Sequence, residues 1–221
     1  MKKLILIMVL CSLATGCHYG VKMHGTTGSG IRKVEKRELK PFTSISTDGA
    51  FEIDVVCQQT QSVEIEGDDN LLQMVSTEVS NGVLRINNMG NYSTRTPMKI
   101  KISVPNIEGL TANGAGTVAV TRMKNDKFDL NSNGAPTIRL SGETKELQID
   151  ANGAGVVDAH KLRAARAEVD SKGVAKVEVF ASDLLNVTVS GPSSVIYDGD
   201  PSVNQTINGP GSVQKRDTGG A

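Results

Sequence analysis

Apolar and polar positions in the second half of the chain recur together, with a period near 19 residues. The period is set by six glycines, Gly114, Gly134, Gly153, Gly173, Gly191 and Gly209, spaced 20, 19, 20, 18 and 18 residues apart. Four residues before them stand Leu110, Leu130, Ile149, Val169, Val187 and Gln205. Four residues after them stand Val118, Ile138, Val157, Val177, Val195 and Val213. Small residues dominate two places before, and Asn113, Asn133, Asn152 and Asn208 stand immediately before. Within each copy the pattern alternates, as in "ELQIDA" (146–151) and "KVEVFA" (176–181), which is the period-two signature of a strand. Each copy therefore predicts a strand, an Asn-Gly corner, a second strand and a looser turn. Asn and Gly tolerate the positive φ that a sharp corner needs.

Two all-β architectures fit this pattern. Asn-Gly between alternating apolar residues is a strong hairpin signal, which would give an antiparallel meander or sandwich. A 19-residue repeat also fits one rung of a parallel β-solenoid, or β-helix, with successive rungs stacked in register. The solenoid is the preferred expectation, because equivalent residues then lie about 4.8 Å apart along one axis. A column of valines fills a continuous core there, whereas a meander supplies no reason for every second turn to share a sequence.

The first half reads as a less regular continuation. In "ISTDGAFEIDV" (45–55) Ile45 lies four before Gly49 and Ile53 four after it. The 65 residues from Gly49 to Gly114 leave room for about three rungs with insertions. "NMGNYSTRTP" (88–97) is a polar excursion and a candidate binding loop.

The layout "FTSISTDGAFEIDV" (42–55), then "GDDNLL" (67–72), "NGVLRI" (81–86) and repeated "NGAG" resembles a bacterial family, the putative auto-transporter adhesins with a head GIN domain. The resemblance runs from about Pro41 to Val213. It implies an exported, right-handed β-solenoid head with an adhesin-like role. The final residues, "QKRDTGGA", contain no β-barrel translocator, so self-transport is not expected of this chain.

The amino terminus reads as an address. In "MKKLILIMVLCSLATGC" (1–17), Lys2 and Lys3 precede an apolar stretch of ten residues, the proportions of a secretory signal. "ATGC" (14–17) resembles a bacterial lipobox, which makes Cys17 the expected lipid anchor. His18, not Asp, follows it, which by resemblance to Gram-negative sorting favours the outer membrane. The expected organisation is a signal peptide over 1–16, a flexible tether over 17–39, the solenoid over 40–216 and a disordered tail over 217–221. Cys11 leaves with the signal, so Cys57 is the one thiol left in the head and is expected to be buried and inert.

Composition narrows the chemistry. Lys+Arg and Asp+Glu balance at 24 each, so nothing favours a nucleic-acid partner. Trp is absent, and Tyr92, Tyr197, Phe128 and Phe180 share no column, so a sugar-stacking platform is not expected. The three His (18, 24 and 160) form no zinc spacing and no triad. His160 is expected in an exposed, bulged turn.

Paired acids are the serious enzymatic signal. Asp150 and Asp170 occupy one column three before the glycine, and Asp158 and Glu178 another five after it. Stacked strands would set each pair about 5 Å apart, as in polysaccharide-active β-helix enzymes. Strands also need polar outer positions, and Lys172 and Lys176 lie close enough to neutralise these acids. The preferred reading is non-enzymatic, with no catalytic residue, metal or cofactor. It is a lipid-anchored envelope head whose partner is an envelope protein or a glycan. The alternatives are a polysaccharide-active enzyme and an accessory subunit of an envelope-sensing system.

Overall fold

The computed structural model describes residues 25–217. The signal segment, Cys17, the start of the tether and residues 218–221 lie outside the described residues. The chain winds as a β-solenoid of about five turns.

One face of the stack follows the columns before the repeated glycines. Ser44–Gly49 and Gly109–Gly114 pair in parallel, and the carboxy-terminal parts of Thr117–Gly134, Thr137–Gly153, Val156–Gly173 and Lys176–Ser190 continue the ladder. Ser202–Asn208 closes it. A second face begins with Glu52–Val56, runs through the opening parts of the same long strands, and ends at Ser194–Asp198 and Ser212–Lys215. Register shifts near Val120/Met123 and Arg139/Ser141 mark another corner, after which a third side leads to the next coil. Coil-to-coil pairing throughout this region is parallel, so the meander is excluded.

The columns are physical stacks. Ile45, Leu110, Leu130, Ile149, Val169 and Val187 are consecutive partners and all are buried. Ile53, Val118, Ile138, Val157, Val177 and Val195 form the matching stack on the second face. Removing aliphatic area from water in this way stabilises a fold by roughly 25 cal/mol per Å². Because each residue packs on its own equivalent, one residue type serves a whole column. The thiol of Cys57 belongs to this core, and burial pushes its pKa up to about 11, which keeps it protonated and unreactive at neutral pH.

The Asn-Gly corners stack as well. Asn133 Nδ2 donates to Asn113 Oδ1 at 2.9 Å, and Asn152 Nδ2 donates to Asn133 Oδ1 at 3.4 Å. The glycine requirement is not only one of φ. Gly134 has φ of 89°, but Gly153 is not among the positive-φ glycines. What excludes a side chain at Gly153 is the coil beneath it, since a Cβ there would stand 2.2 Å from the Gly134 carbonyl oxygen.

The amino-terminal half departs from the expectation of sequential rungs. Ser44–Gly49 and Glu52–Val56 do form a coil, and it lies directly under the coil that starts at Gly109. The next coil outward comes from later in the chain, Val83–Asn88 and Lys99–Ser103. Antiparallel strands then close this end: Val75–Ser80 on one face, Ser62–Asp68 and Arg32–Arg37 on the other. Three extra rungs are thus replaced by one coil and a cap. Alternation alone looks the same in both, because parallel and antiparallel strands share the period of two.

The flexible tether is also corrected from residue 25 onward. Thr26–Thr27 pairs with Tyr92–Ser93, and Arg32–Arg37 pairs with Ser62–Asp68 across six positions. "RKVEKR" places Arg32, Lys33, Glu35, Lys36 and Arg37 along the outermost strand, where charge deters pairing with a second chain.

Candidate functional site

The acidic pairs stack as their columns imply. Asp150 lies opposite Asp170, and Asp158 opposite Glu178. On the first face Asp170 accepts a bond from Lys172 Nζ at 2.8 Å, and Asp150 accepts one from Gln148 Nε2 at 3.4 Å. The Asp170 carboxylate in turn holds the Lys172 ammonium above its usual range. This arrangement is an exposed ion pair, which contributes little to stability.

The second-face pair is more elaborate. Glu178 Oε1 pairs with Lys176 Nζ at 2.7 Å, and its Oε2 accepts from Arg216 Nη2. Arg216 Nε reaches both oxygens of Asp198, at 2.9 and 3.0 Å. Asp158 bonds His160 Nδ1, and Asp158, His160 and Glu178 each offer a donor atom within 4.8 Å of the others. His160 is therefore not in a free turn. It sits half-buried in the strand Val156–Gly173, at the register shift that bulges this corner. Its place beside Asp158 was visible in the i, i+2 spacing, since such residues point to one side of a strand.

Two carboxylates and an imidazole are a set that binds transition metals in other proteins. Here both Glu178 oxygens are already bonded to cations. The Lys176 and Arg216 contacts pull the Glu178 carboxyl down to about 2. A glycosidase acid needs the opposite shift, a carboxyl kept protonated near neutrality. The geometry therefore makes Glu178 an anion that, through Arg216 just beyond the last strand, ties the end of the stack to the coil two steps back, with Asp198 on the coil between. Its folded pKa lies below its unfolded value, so its stabilisation is complete above about pH 5 and disappears as pH falls through about 2. Glu178→Gln is expected to lower stability at pH 7 by on the order of 2 kcal/mol. It is also expected to flatten the stability profile between pH 5 and 2, as read by urea unfolding across that range. An unchanged profile would show that the Arg216 contact does not form in solution.

A cleft opens at the capped end, between residues 27–32 and the 88–97 excursion. Its volume is about 520 Å³, and Ser29, Arg32, Asp68, Thr94, Arg95 and Thr96 are among its lining residues. Gly28 N donates to Ser93 O at 2.8 Å, and Asn70 Nδ2 donates to Thr27 O at 2.9 Å, which fix the two walls. Arg32 is held by Glu66 at 3.3 Å. The excursion had stood out in the sequence as polar, but its partners are distant in sequence and carried no signal there.

Comparison with solved structures gives this fold in several bacterial proteins. A putative adhesin from Bacteroides fragilis superposes with a TM-score of 0.73 at 21% identity, covering 87% of this chain and 100% of that one. A putative lipid binding protein from Parabacteroides distasonis gives 0.54 at 18% identity, with coverage of 87% and 100%. A putative adhesin from Parabacteroides merdae gives 0.52 at 19% identity, with coverage of 87% and 99%. No curated protein matches the chain. The family model described as "Putative auto-transporter adhesin, head GIN domain" matches residues 41–201, which takes in the first stacked coil, the cap strands other than Arg32–Arg37 and the glycine-cornered coils as far as Gly199. With that match spanning most of the sequence, the chain belongs to the head GIN domain family.

Proposed function

We propose that this protein is an exported envelope lipoprotein, anchored through Cys17, whose solenoid head binds an envelope partner or a glycan without transforming it. The observation behind this reading is the conjunction of a lipobox-like "ATGC" with a head in which one acid of each stacked pair is held by cations, Asp170 by Lys172 and Glu178 by Lys176 and Arg216. An adhesin-like family description and an extracellular or envelope setting agree with it. Two or more acyl chains on Cys17 hold a protein on a membrane where a single chain would not. The coil faces present polar side chains in register, the kind of extended surface that solenoids use for partners.

Two measurements test the reading together. Metabolic labelling with a fatty acid is expected to mark the wild-type chain in the outer-membrane fraction, and Cys17→Ser is expected to lose both the label and the fraction. A screen of the full chain against glycans and envelope proteins is expected to return a ligand that is recovered unaltered. Cleavage of a glycan in that screen, abolished by Asp150→Asn or Asp158→Asn, would replace the binding role with an enzymatic one.

A further inference from the structure

The cleft at the capped end contains a carboxylate with one side-chain partner and acceptor positions to spare. Asp68 is 3% exposed, yet it lines open space. Among the described residues its side chain accepts one hydrogen bond, from Thr94 Oγ1 at 2.9 Å. A carboxylate offers about four acceptor positions, so a single neutral donor leaves acceptor capacity for a ligand. No arginine takes it up: Arg32 is engaged by Glu66, and Arg95, exposed on the rim, makes no salt bridge among the described residues. The site is also shaped around the acid, since a Cβ on Gly28 would stand 1.8 Å from Asp68 Oδ2.

The rest of the lining defines the missing partner. Thr94 Oγ1 reaches the acid, Ser29 Oγ donates to the neighbouring Asp69 Oδ1 at 2.6 Å, and every other lining residue is polar or glycine. A ligand that fits must donate several hydrogen bonds to Asp68, exchange others with hydroxyls, and bring an acidic group to Arg95. It needs no apolar wall, which disfavours an acyl chain or an amino-acid side chain. We propose that this cleft binds an acidic saccharide residue: neighbouring ring hydroxyls donate to Asp68, and the saccharide carboxylate pairs with the Arg95 guanidinium. This names a ligand class for the binding role proposed above and rests on that reading. With no aromatic platform, a single cleft binds weakly, and display of many copies on a membrane supplies the avidity.

The test is calorimetric titration of the full chain in detergent micelles with oligogalacturonate, with maltohexaose and L-glutamate run alongside. Oligogalacturonate is expected to bind, and maltohexaose to bind at least about tenfold more weakly. Asp68→Asn and Arg95→Ala are each expected to weaken oligogalacturonate about tenfold or more. Arg95 is exposed, so its variant is expected to keep the wild-type melting temperature and to report on binding alone. Equal binding of the neutral oligosaccharide, or full-strength binding by both variants, overturns the assignment. L-glutamate binding more tightly than the saccharide also overturns it, in favour of amino-acid recognition. If oligogalacturonate fails while the envelope screen returns another ligand, this cleft assignment falls and the binding role stands. If both assays return nothing, both fall.

Discussion

Gly142→Ala is expected to destabilise the domain by about 2–5 kcal/mol, a large share of the roughly 5–15 kcal/mol that holds a domain together. Two effects combine at this residue. Its φ is 130°, a region that costs a residue with a Cβ about 1–2 kcal/mol. A Cβ there would also lie 2.2 Å from the Met123 carbonyl oxygen and 2.5 Å from the Met123 nitrogen. Those are backbone atoms of the coil below, which cannot swing aside as a side chain would, and overpacking of this kind costs about 1–3 kcal/mol.

Two further glycines separate these contributions. Gly153→Ala meets the neighbouring coil at 2.2 Å without a positive φ, so it measures crowding by itself. Gly82→Ala has φ of 75° and nothing within 4 Å, so it measures backbone conformation by itself. Urea unfolding of the three variants is expected to rank Gly142 as the most costly, Gly153 next and Gly82 last. Equal costs at Gly82 and Gly153 would show that the coils part easily, and the argument from stacking would fail.

A chain that starts at Lys40 is expected to lose on the order of 5 kcal/mol, or to aggregate, compared with one that starts at His18. Its start removes the ladder between Arg32–Arg37 and Ser62–Asp68, whose bonds each contribute about 1 kcal/mol net. It also removes the bond from Asp69 N to Ile31 O at 2.9 Å, and that from Arg37 Nη2 to Leu72 O at 3.1 Å. The newly exposed edge, Ser62–Asp68, alternates apolar residues and lacks the lysines and arginines that now blunt it. Melting temperature and size-exclusion elution of the two chains decide the matter. Identical behaviour would restore residues 25–39 to the role of a passive tether.

At that boundary local composition and tertiary structure part company. The segment 24–30 is rich in Gly, Ser and Thr, and "IRKVEKRELK" is charged, so local composition argued for a solvated linker. Backbone hydrogen bonds to strands far along the chain, from Arg37 with Val63 to Thr26 with Tyr92, built it into the sheet instead, and backbone groups leave no trace in side-chain chemistry. The same holds for the cleft. Asp68, Thr94 and Arg95 come from segments joined only by the cap, and no spacing in the chain announces them. Asp150, Asp170, Asp158 and Glu178 were legible because one repeat alignment assigns their columns. What neutralises Glu178 was legible only in part: Lys176 is two residues away, while Arg216 reaches it from just beyond the last strand.

The amino-acid sequence by itself determined the stack. Its period fixed the coil length, its aliphatic columns fixed which residues lie over one another, and its corner glycines fixed where backbones touch. Periodic information of that kind survives in one dimension because each coil contacts its neighbours at a constant offset. Tertiary structure alone decided the end of the stack, where coil order departs from chain order and antiparallel strands form the cap. Pairings there have no constant offset, so only closure of backbone hydrogen bonds and burial of apolar area in three dimensions could select them.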